Sequence, residues 1–344
     1  MDANRPGPGP RNLITDVPGL KVGQAQDLGV RTGVTVILPD DRAVAACDVR
    51  GGAPGTRETD ALAPENLVEA VDAVVLSGGS VYGLAAADGV VTWLGARGRG
   101  YGLVEGIPLS PVVPGAILFD VANGGDKSWG EAPPYRDLGR AAVASASLDF
   151  ALGTAGAGFG AMAGGLKGGT GSASVITADG YTVGAVVAVN SWGSVIAPEG
   201  RTFWAAPFEL ADEFGGLGSA GLAAGPDQWG SAKHPTETRN TTIACVATDA
   251  ILTPAQAKRF AVMAQDGLAR AIRPIHAPFD GDVVFALSTG RRPLDDLPDY
   301  TLARLGALAA DTLARAVARA VFEATPWADA YVPCWRDLPG ANKR

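Results

Sequence analysis

The chain has 344 residues, with 47 glycines, 3 cysteines, 2 histidines and a formal net charge of −8, and 47% of it is hydrophobic. This composition excludes wholesale disorder, and an acidic balance without any cluster of lysine and arginine argues against a nucleic-acid binder. The dispersed cysteines and the two distant histidines, His234 and His276, form neither a disulfide framework nor a zinc-binding pattern, so we expect no metal and no cofactor.

The N-terminal part of the chain is predicted to combine strands with a first helix. Its first residues are polar and lack the apolar segment of a signal peptide, and no uncharged apolar run is long enough to span a membrane, so we expect a cytoplasmic protein. Residues 30–49 are β-branched and apolar, which predicts two strands, and residues 67–77 end in a buried-strand pattern. The alanine-rich segment that follows predicts a helix with Ser80 as its cap.

The rest of the chain mixes strands and helices without strict alternation. Asp179-Gly180 stands between two apolar runs and predicts a hairpin. Thr253 begins a capping-box pattern with Pro254 at the first helical position. Apolar patterning also predicts helices over 137–147 and 299–324, strands over 117–120, 241–248 and 282–289, and an irregular region over 191–238. Such a mixture favours sheets with helices packed outside them.

A glycine-dense segment, residues 154–174, contains a match to a dinucleotide-binding fingerprint. Gly156 to Ala161 fit the relaxed G-x-G-x-x-A pattern, but no clean strand precedes them and no helical pattern follows. The P-loop pattern fails because Leu166 stands before Lys167, where a glycine belongs. In a chain so rich in glycine such a match arises easily, so a glycine-loop nucleotide-binding protein is only the remote alternative.

Gly78-Gly79-Ser80 lies between a predicted strand and a predicted helix, which is the setting of a serine-hydrolase nucleophile elbow. The closing glycine of that motif is missing, because Tyr82 occupies its place. We therefore interpret Ser80 as a helix cap. Tyr82 could line a pocket, although a buried core position is an equally good interpretation.

Two carboxylates, Asp280 and Asp282, flank Gly281 at the start of a predicted strand. If the strand includes both, their side chains project from the same face. Carboxylates held together in this way can share a proton or orient a nucleophile. An Asp-Gly pair is equally common in ordinary turns, so the residues alone leave both interpretations open.

A threonine begins the predicted strand over 241–248. Asn240-Thr241-Thr242 is formally a glycosylation sequon, which no secretion signal supports, and threonine suits the start of a strand. Self-cleavage before Thr241 would place a hydroxyl and an α-amine on one residue. An α-amine has a pKa of about 7.7–8.0 and can take the hydroxyl proton near neutral pH. This chemistry needs no histidine, which suits this chain.

Four separated segments together resemble the DmpA-like (S58) peptidase family: ITDVPGLKVGQA, DVRGGAPGTRETDAL, LSGGSVYGLAAADGV and GGLKGGTGSAS. The resemblance extends from about residue 13 to residue 337. It implies an α/β fold of the N-terminal-nucleophile-hydrolase type, a four-layer α/β/β/α sandwich in which residues 1–344 form one domain. It also implies a precursor that cuts itself into residues 1–240 and 241–344, and cleaved pairs that assemble as tetramers.

The residues at the expected cut resemble one branch of this family. Asn240 before Thr241, together with Asp280-Gly281-Asp282, resembles the nylon-oligomer hydrolases. The aminopeptidases of the family instead carry a glycine before a serine nucleophile. The branch therefore implies amides of ω-amino-acid oligomers as a substrate class, without identifying the natural substrate.

The resemblance also implies a role for each site residue. Thr241 would be the nucleophile with its own amine as the base, and Asn190 would donate to the oxyanion. Lys167 would polarise that amine or set its protonation. Asp280 and Asp282 would orient Thr241 and assist the self-cleavage.

We therefore predict a self-processing amide hydrolase that acts on a small peptide-like or ω-amino-acid oligomer amide. An aminopeptidase or D-esterase of the same family is the alternative function. A biosynthetic amide processor of the ornithine acetyltransferase kind shares the threonine nucleophile but not the four motifs, so it ranks lower. We expect self-association and no partnership with nucleic acid or membrane.

Overall fold

The computed structural model describes residues 5–102, 104–198, 200–220, 222–234 and 240–340. In these ranges the strands are β1 (Leu20–Asp27), β2 (Thr32–Pro39), β3 (Ala43–Val49), β4 (Thr56–Arg57), β5 (Ala70–Val71), β6 (Val74–Ser77), β7 (Gly115–Ile117), β8 (Met162–Ala163), β9 (Leu166–Lys167), β10 (Gly169–Ile176), β11 (Thr182–Asn190), β12 (Thr241–Ala250) and β13 (Val283–Arg292). The α-helices are α1 (Ala86–Gly95), α2 (Tyr135–Ala144), α3 (Pro254–Ala271) and α4 (Pro298–Phe322). None of the helices in this part of the chain is long and apolar enough to cross a lipid bilayer.

The strands form two principal sheets. The first has the order β1-β2-β6-β7-β4, and the second has the order β10-β11-β12-β13-β3-β5. In the second sheet β11 and β12 are antiparallel, while β12 and β13 are parallel. The strand β12 therefore has a hydrogen-bonded neighbour on each side, and it is a central strand of the sheet.

The helices and sheets form four layers, and three apolar cores lie between them. One core joins α1 and α2 to the first sheet, a second lies between the two sheets, and a third joins α3 and α4 to the second sheet. Alternation along β12 shows why this works: Ile243 and Cys245 belong to the core between the sheets, whereas Ala244 and Val246 belong to the core beside the helices. All ten residues of β12 are buried. The predicted α/β/β/α sandwich is confirmed.

Local sequence signals set several element boundaries. Thr253 accepts a hydrogen bond from the amide of Gln256 at 3.3 Å, and Pro254 is the first residue of α3, as the capping-box pattern predicts. The hairpin between β10 and β11 turns at Gly180, whose φ of +86° suits glycine. The predicted strands over 30–49, 241–248 and 282–289 correspond to β2 with β3, to β12 and to β13.

The segment after Gly79 differs from its prediction. Ser80 begins a 3-10 turn that ends at Ala85, and the α-helix starts only at Ala86. Ser80 has a φ of +53°, and the cap positions are Gly79 for the 3-10 turn and Ala85 for α1, so the interpretation of Ser80 as a helix cap is wrong. The cause is tertiary, because the amide of Gly79 donates to Asp120 Oδ1 at 2.7 Å and holds the chain in a tight turn there.

The glycine-dense segment has no dinucleotide-binding geometry. Its residues Gly156–Gly158 form a single 3-10 turn, and the chain then continues into the short strands β8 and β9 rather than into a helix. Near the start of the described chain, Gly7 pairs with Ile176 and so attaches this segment to β10. Close backbone packing, rather than phosphate binding, accounts for much of the glycine here: a Cβ on Gly158 would lie 2.1 Å from the backbone of Gly169.

Candidate active site

Asn190 and Thr241 lie side by side at one end of the second sheet. Asn190 is the last residue of β11 and Thr241 the first of β12, and the antiparallel register pairs them directly. Alternation along each strand directs both side chains toward the space between the sheets, since Ala188 and Ile243 point there. Both residues are buried. Thr241 therefore begins a central strand, at the mouth of the gap between the sheets.

The peptide bond before Thr241 lies in a polar setting. The Thr241 hydroxyl donates to the carbonyl oxygen of Asn240 in a short contact, and the amide of Gly281 donates to the same oxygen at 3.0 Å. Asn240 also pairs with Asp280 in a parallel bridge next to β13. A threonine hydroxyl and a backbone amide thus meet at a single carbonyl group.

The two predicted carboxylates surround this peptide, although they precede β13 rather than belong to it. Asp282 Oδ1 accepts from the amide of Thr242 at 2.8 Å, and Asp280 Oδ2 accepts from the amide of Ala277 at 2.8 Å. Asp280 Oδ1 is buried without a hydrogen-bond partner among the residues that the structure describes. Burial, with the charge of Asp282 as the next cause, raises the pKa of Asp280 to about 6. An orphan oxygen on such a carboxyl is suited to accept a proton.

Sequence reasoning treated both histidines as incidental and did not single out Lys233, yet all three lie at the site. His276 Nδ1 lies 2.8 Å from Asp282 Oδ2. Lys233 Nζ donates to Asn240 Oδ1 at 2.6 Å and to the backbone carbonyl of Asn190 at 3.3 Å. No local motif marks these residues, because each reaches the site from a loop that only the tertiary structure brings near.

Lys167 is fully buried beneath the glycine-dense segment. Its Nζ donates to the backbone carbonyls of Gly158, Ala161 and Gly168 at 3.2, 3.0 and 2.8 Å, so all three ammonium protons are engaged. Burial lowers the pKa of Lys167 to about 7. These hydrogen bonds connect Lys167 to its own segment, and its role in setting the amine's protonation stays a prediction.

A cleft of about 550 Å³ opens at the end of the sheets beside Asn190 and Asn240. Its lining comprises Phe119, Asp120, Ala122, Asn123, Gly160, Met162, Gly164, Gly165, Asn190, Ala232, Lys233, His234 and Asn240. The side chain of Asn190 spans this lining, since its Nδ2 donates to the Phe119 carbonyl and its Oδ1 accepts from the Met162 amide, each at 2.9 Å. The second Nδ2 proton remains available to a substrate oxyanion.

Two further residues complete the description of the site. Asp120, which sequence reasoning did not single out, is buried at the cleft, and burial raises its pKa to about 6. Tyr82 is not part of the cleft lining. Its side chain is 49% exposed and its ring meets Trp129 edge to face, with centroids 5.5 Å apart. Tyr82 therefore occupies neither the pocket nor the buried core position that the sequence suggested.

Comparison with known proteins places this site in a family. A sequence profile of peptidase family S58 matches residues 12–330. The chain is 46% identical to an uncharacterized aminopeptidase of Mycobacterium tuberculosis, over 96% of this chain and 99% of that protein. It is 29% identical to a 6-aminohexanoate-oligomer endohydrolase of a Kocuria species, over 91% of this chain and 86% of that protein.

A solved structure agrees on the fold. The L-aminopeptidase D-Ala-esterase/amidase of Ochrobactrum anthropi, described as a variant of the Ntn hydrolase fold, superimposes with a TM-score of 0.70 at 23% identity. The superposition covers 96% of this chain and 92% of that chain. The chain belongs to peptidase family S58 and is an amide hydrolase with the Ntn hydrolase fold.

Proposed function

We propose that the chain is made as one polypeptide and cuts itself between Asn240 and Thr241, and that the freed Thr241 then hydrolyses small amides. The observation that carries this proposal is the Asn240 carbonyl, which is contacted by both the Thr241 hydroxyl and the Gly281 amide. The position of Thr241 at the first residue of a rigid central strand also supports it, because a nucleophile must be held accurately.

In the proposed turnover, the α-amine of Thr241 takes the proton of its own hydroxyl. Oγ1 then attacks the carbonyl carbon of the substrate amide, and Asn190 Nδ2 donates to the oxyanion that forms. The amine of the substrate leaves with a proton, which gives an ester on Thr241. Water hydrolyses this ester and restores the hydroxyl. Asp282 contributes by holding the Thr242 amide, and with it the start of β12.

The decisive experiment is an intact-mass spectrum of the purified protein. We expect fragments 1–240 and 241–344, the second with a free N-terminal threonine. A single intact mass, with the chain fully folded, would contradict the proposed cut.

For the substrate, we propose a small peptide-like amide or an amide of an ω-amino-acid oligomer. The cleft of about 550 Å³ suits a small molecule, and the Kocuria relative is named for hydrolysis of 6-aminohexanoate oligomers. An aminopeptidase or D-esterase activity is the second candidate, since the Mycobacterium relative is named an aminopeptidase. Paired assays with 6-aminohexanoate oligomers and with amino-acid amides distinguish the two by their kcat/KM values.

We further propose that the mature protein is a tetramer of cleaved pairs in a reducing, cytoplasmic environment. The three cysteines support the second part, since all are free thiols and two are buried. Light scattering of the cut protein would give the assembly size, and fractionation of the source cells would give the location.

A further inference from the structure

The self-cleavage that we propose requires a hydrogen-bond donor at the Asn240 carbonyl oxygen, and this donor is a backbone group. We propose that the amide N–H of Gly281 is the oxyanion donor for the self-cleavage step, and that the loop from Arg50 to Ala53 sets its direction. This inference rests on the proposed cut before Thr241. The distance from Gly281 N to Asn240 O is 3.0 Å, which lies within the range of effective oxyanion donors.

The direction of this N–H follows from the peptide plane that contains it. The bond between Asp280 and Gly281 is trans, so its carbonyl and its N–H point in opposite directions. The Asp280 carbonyl accepts from the amide of Ala53 at 2.8 Å, which turns the Gly281 N–H toward Asn240. The neighbouring amide of Arg50 donates to the Asp282 carbonyl at 3.0 Å and holds the other side of the turn.

Only glycine fits at the two points where these segments meet. A Cβ on Gly281 would lie 2.7 Å from Thr241 Oγ1 and 3.0 Å from the Ala53 carbonyl oxygen. A Cβ on Gly51 would lie 2.3 Å from the Asp280 carbonyl oxygen. The glycines of the sequence segment DVRGGAPGT therefore allow the loop to approach the peptide that carries the donor.

The chemical step balances without any added reagent except water. Thr241 Oγ1 loses its proton to a base and forms a bond to the Asn240 carbonyl carbon, while the carbonyl π electrons move to the oxygen that Gly281 N–H stabilises. The carbon–nitrogen bond then breaks, the nitrogen takes up a proton, and an ester joins Asn240 to the Thr241 side chain. Water cleaves this ester to the Asn240 carboxylate and the Thr241 hydroxyl. Asp280, with its orphan Oδ1, is suited to act as the base.

Self-cleavage and turnover thus use different donors. The hydrogen bonds of the Asn190 side chain go to Phe119 and Met162, not to Asn240. Its remaining Nδ2 proton is therefore the one that we expect a substrate oxyanion to meet. In the uncut chain, the Gly281 N–H is bonded to the Asn240 carbonyl oxygen.

The first test is Gly281→Ala, with conversion of pulse-labelled full-length chain to fragments followed over time. We expect cleavage to slow by about 100-fold, because the added Cβ would push the peptide that carries the donor away from the Asn240 carbonyl and would crowd Thr241 Oγ1. Gly95→Ala is the matched control, because its Cβ would meet nothing closer than 3.9 Å, and it should cut at the wild-type rate. Circular dichroism and thermal unfolding verify that each variant is folded. A folded Gly281→Ala variant that cuts at the wild-type rate would overturn the proposal.

The second test avoids any change at the crowded position. Ala53 is an exposed residue whose N–H holds the Asp280 carbonyl. Ala53→Pro removes this N–H, whereas Ala53→Gly keeps it. We expect Ala53→Pro to slow cleavage by about tenfold, the effect of a weakened positioning contact, and Ala53→Gly to leave the rate unchanged. Because Ala53 would act only through the donor peptide, the double variant with Ala53→Pro and Gly281→Ala should cut only slightly more slowly than Gly281→Ala alone. Equal rates for the proline and glycine variants would refute the role of the loop.

These outcomes are separable from failure of the proposed function. If wild-type protein stays intact, the proposed cut before Thr241 is wrong, and there is no wild-type cleavage rate with which the variants can be compared. If wild-type protein cuts and Thr241→Ala does not, the proposed nucleophile stands whatever the Gly281 and Ala53 variants do.

Discussion

Two regions border the same cleft and contribute to it in opposite ways. At the strand ends, Asn190, Thr241 and Asp280 bring reacting side chains together through the register of β11, β12 and the turn before β13. The glycine-dense segment instead contributes backbone, and its one charged side chain, Lys167, donates to three backbone carbonyl groups of the same segment. Strand ends thus place side chains at the cleft, whereas a glycine-dense segment shapes its wall with backbone, and a catalytic role for Lys167 stays a prediction.

The strongest way to break this comparison is Thr241→Ala, which removes the only atom proposed to attack. We expect an uncut chain and a loss of amide hydrolysis of at least about 10³-fold, because the nucleophile cannot be replaced by binding alone. Thr241→Ser is the control that keeps an Oγ atom and should still cut. Hydrolysis that survives Thr241→Ala, in protein shown to be uncut by mass, would refute the assignment of the nucleophile.

A second prediction concerns Asp280, the carboxyl group at the strand ends. If Asp280 takes the Thr241 proton, self-cleavage requires its ionised form, and its pKa of about 6 sets the range. The rate should rise with pH, reach half its maximum near pH 6 and level off above. Asp280→Asn should slow self-cleavage by about 100-fold, a usual contribution of a general base.

The same raised pKa has a consequence for stability. Because folding raises the pKa above its usual value of 3.8, the folded state holds a proton that the unfolded chain has lost between those two values. The contribution of Asp280 to the free energy of unfolding therefore falls as pH rises from about 4 to about 6. Urea titrations of Thr241→Ala with and without Asp280→Asn would measure this contribution.

For the self-cleavage prediction, a pH profile of the cleavage rate that is identical in Asp280→Asn and in wild type would contradict the proposed role of Asp280 as the base.

On the other side of the cleft, Lys167→Met should act mainly on stability. It leaves the carbonyls of Gly158, Ala161 and Gly168 without their donor, so we expect the free energy of unfolding to fall by about 3 kcal/mol. Lys21→Met is the matched control, since Lys21 forms only an exposed ion pair with Asp40 and its loss should cost less than about 1 kcal/mol. Loss of turnover at unchanged stability would instead indicate a direct role for Lys167.

The smallest effect is expected at Tyr82, which lies outside both regions. Tyr82→Ala removes one edge-to-face contact with Trp129 at a half-exposed position, so we expect a loss of about 1 kcal/mol or less in the free energy of unfolding. The values of kcat and KM should not change. A rise in KM would show that this side chain reaches the substrate after all.

Sequence patterns predicted the elements well where a local cause decides them. The capping box at Thr253 begins α3 in the structure, and Asp179-Gly180 turns the hairpin, because both signals act within a few residues. The prediction for Ser80 was wrong because a distant residue, Asp120, holds the preceding glycine and tightens the turn. His276 and Lys233 were missed for the same reason, since their partners Asp282 and Asn240 are set by tertiary packing.

By itself, the sequence indicated the class of chemistry through four segments that resemble family S58. The asparagine–threonine junction at the start of a predicted strand and the scarcity of histidine agree with that class. The tertiary structure alone decided how these parts meet. Strand register placed Asn190 beside Thr241, and the contact between Ala53 and Asp280 turned the Gly281 amide toward the Asn240 carbonyl. The direction of one backbone N–H depends on a peptide plane held by a loop more than two hundred residues away in sequence, and no local pattern encodes it.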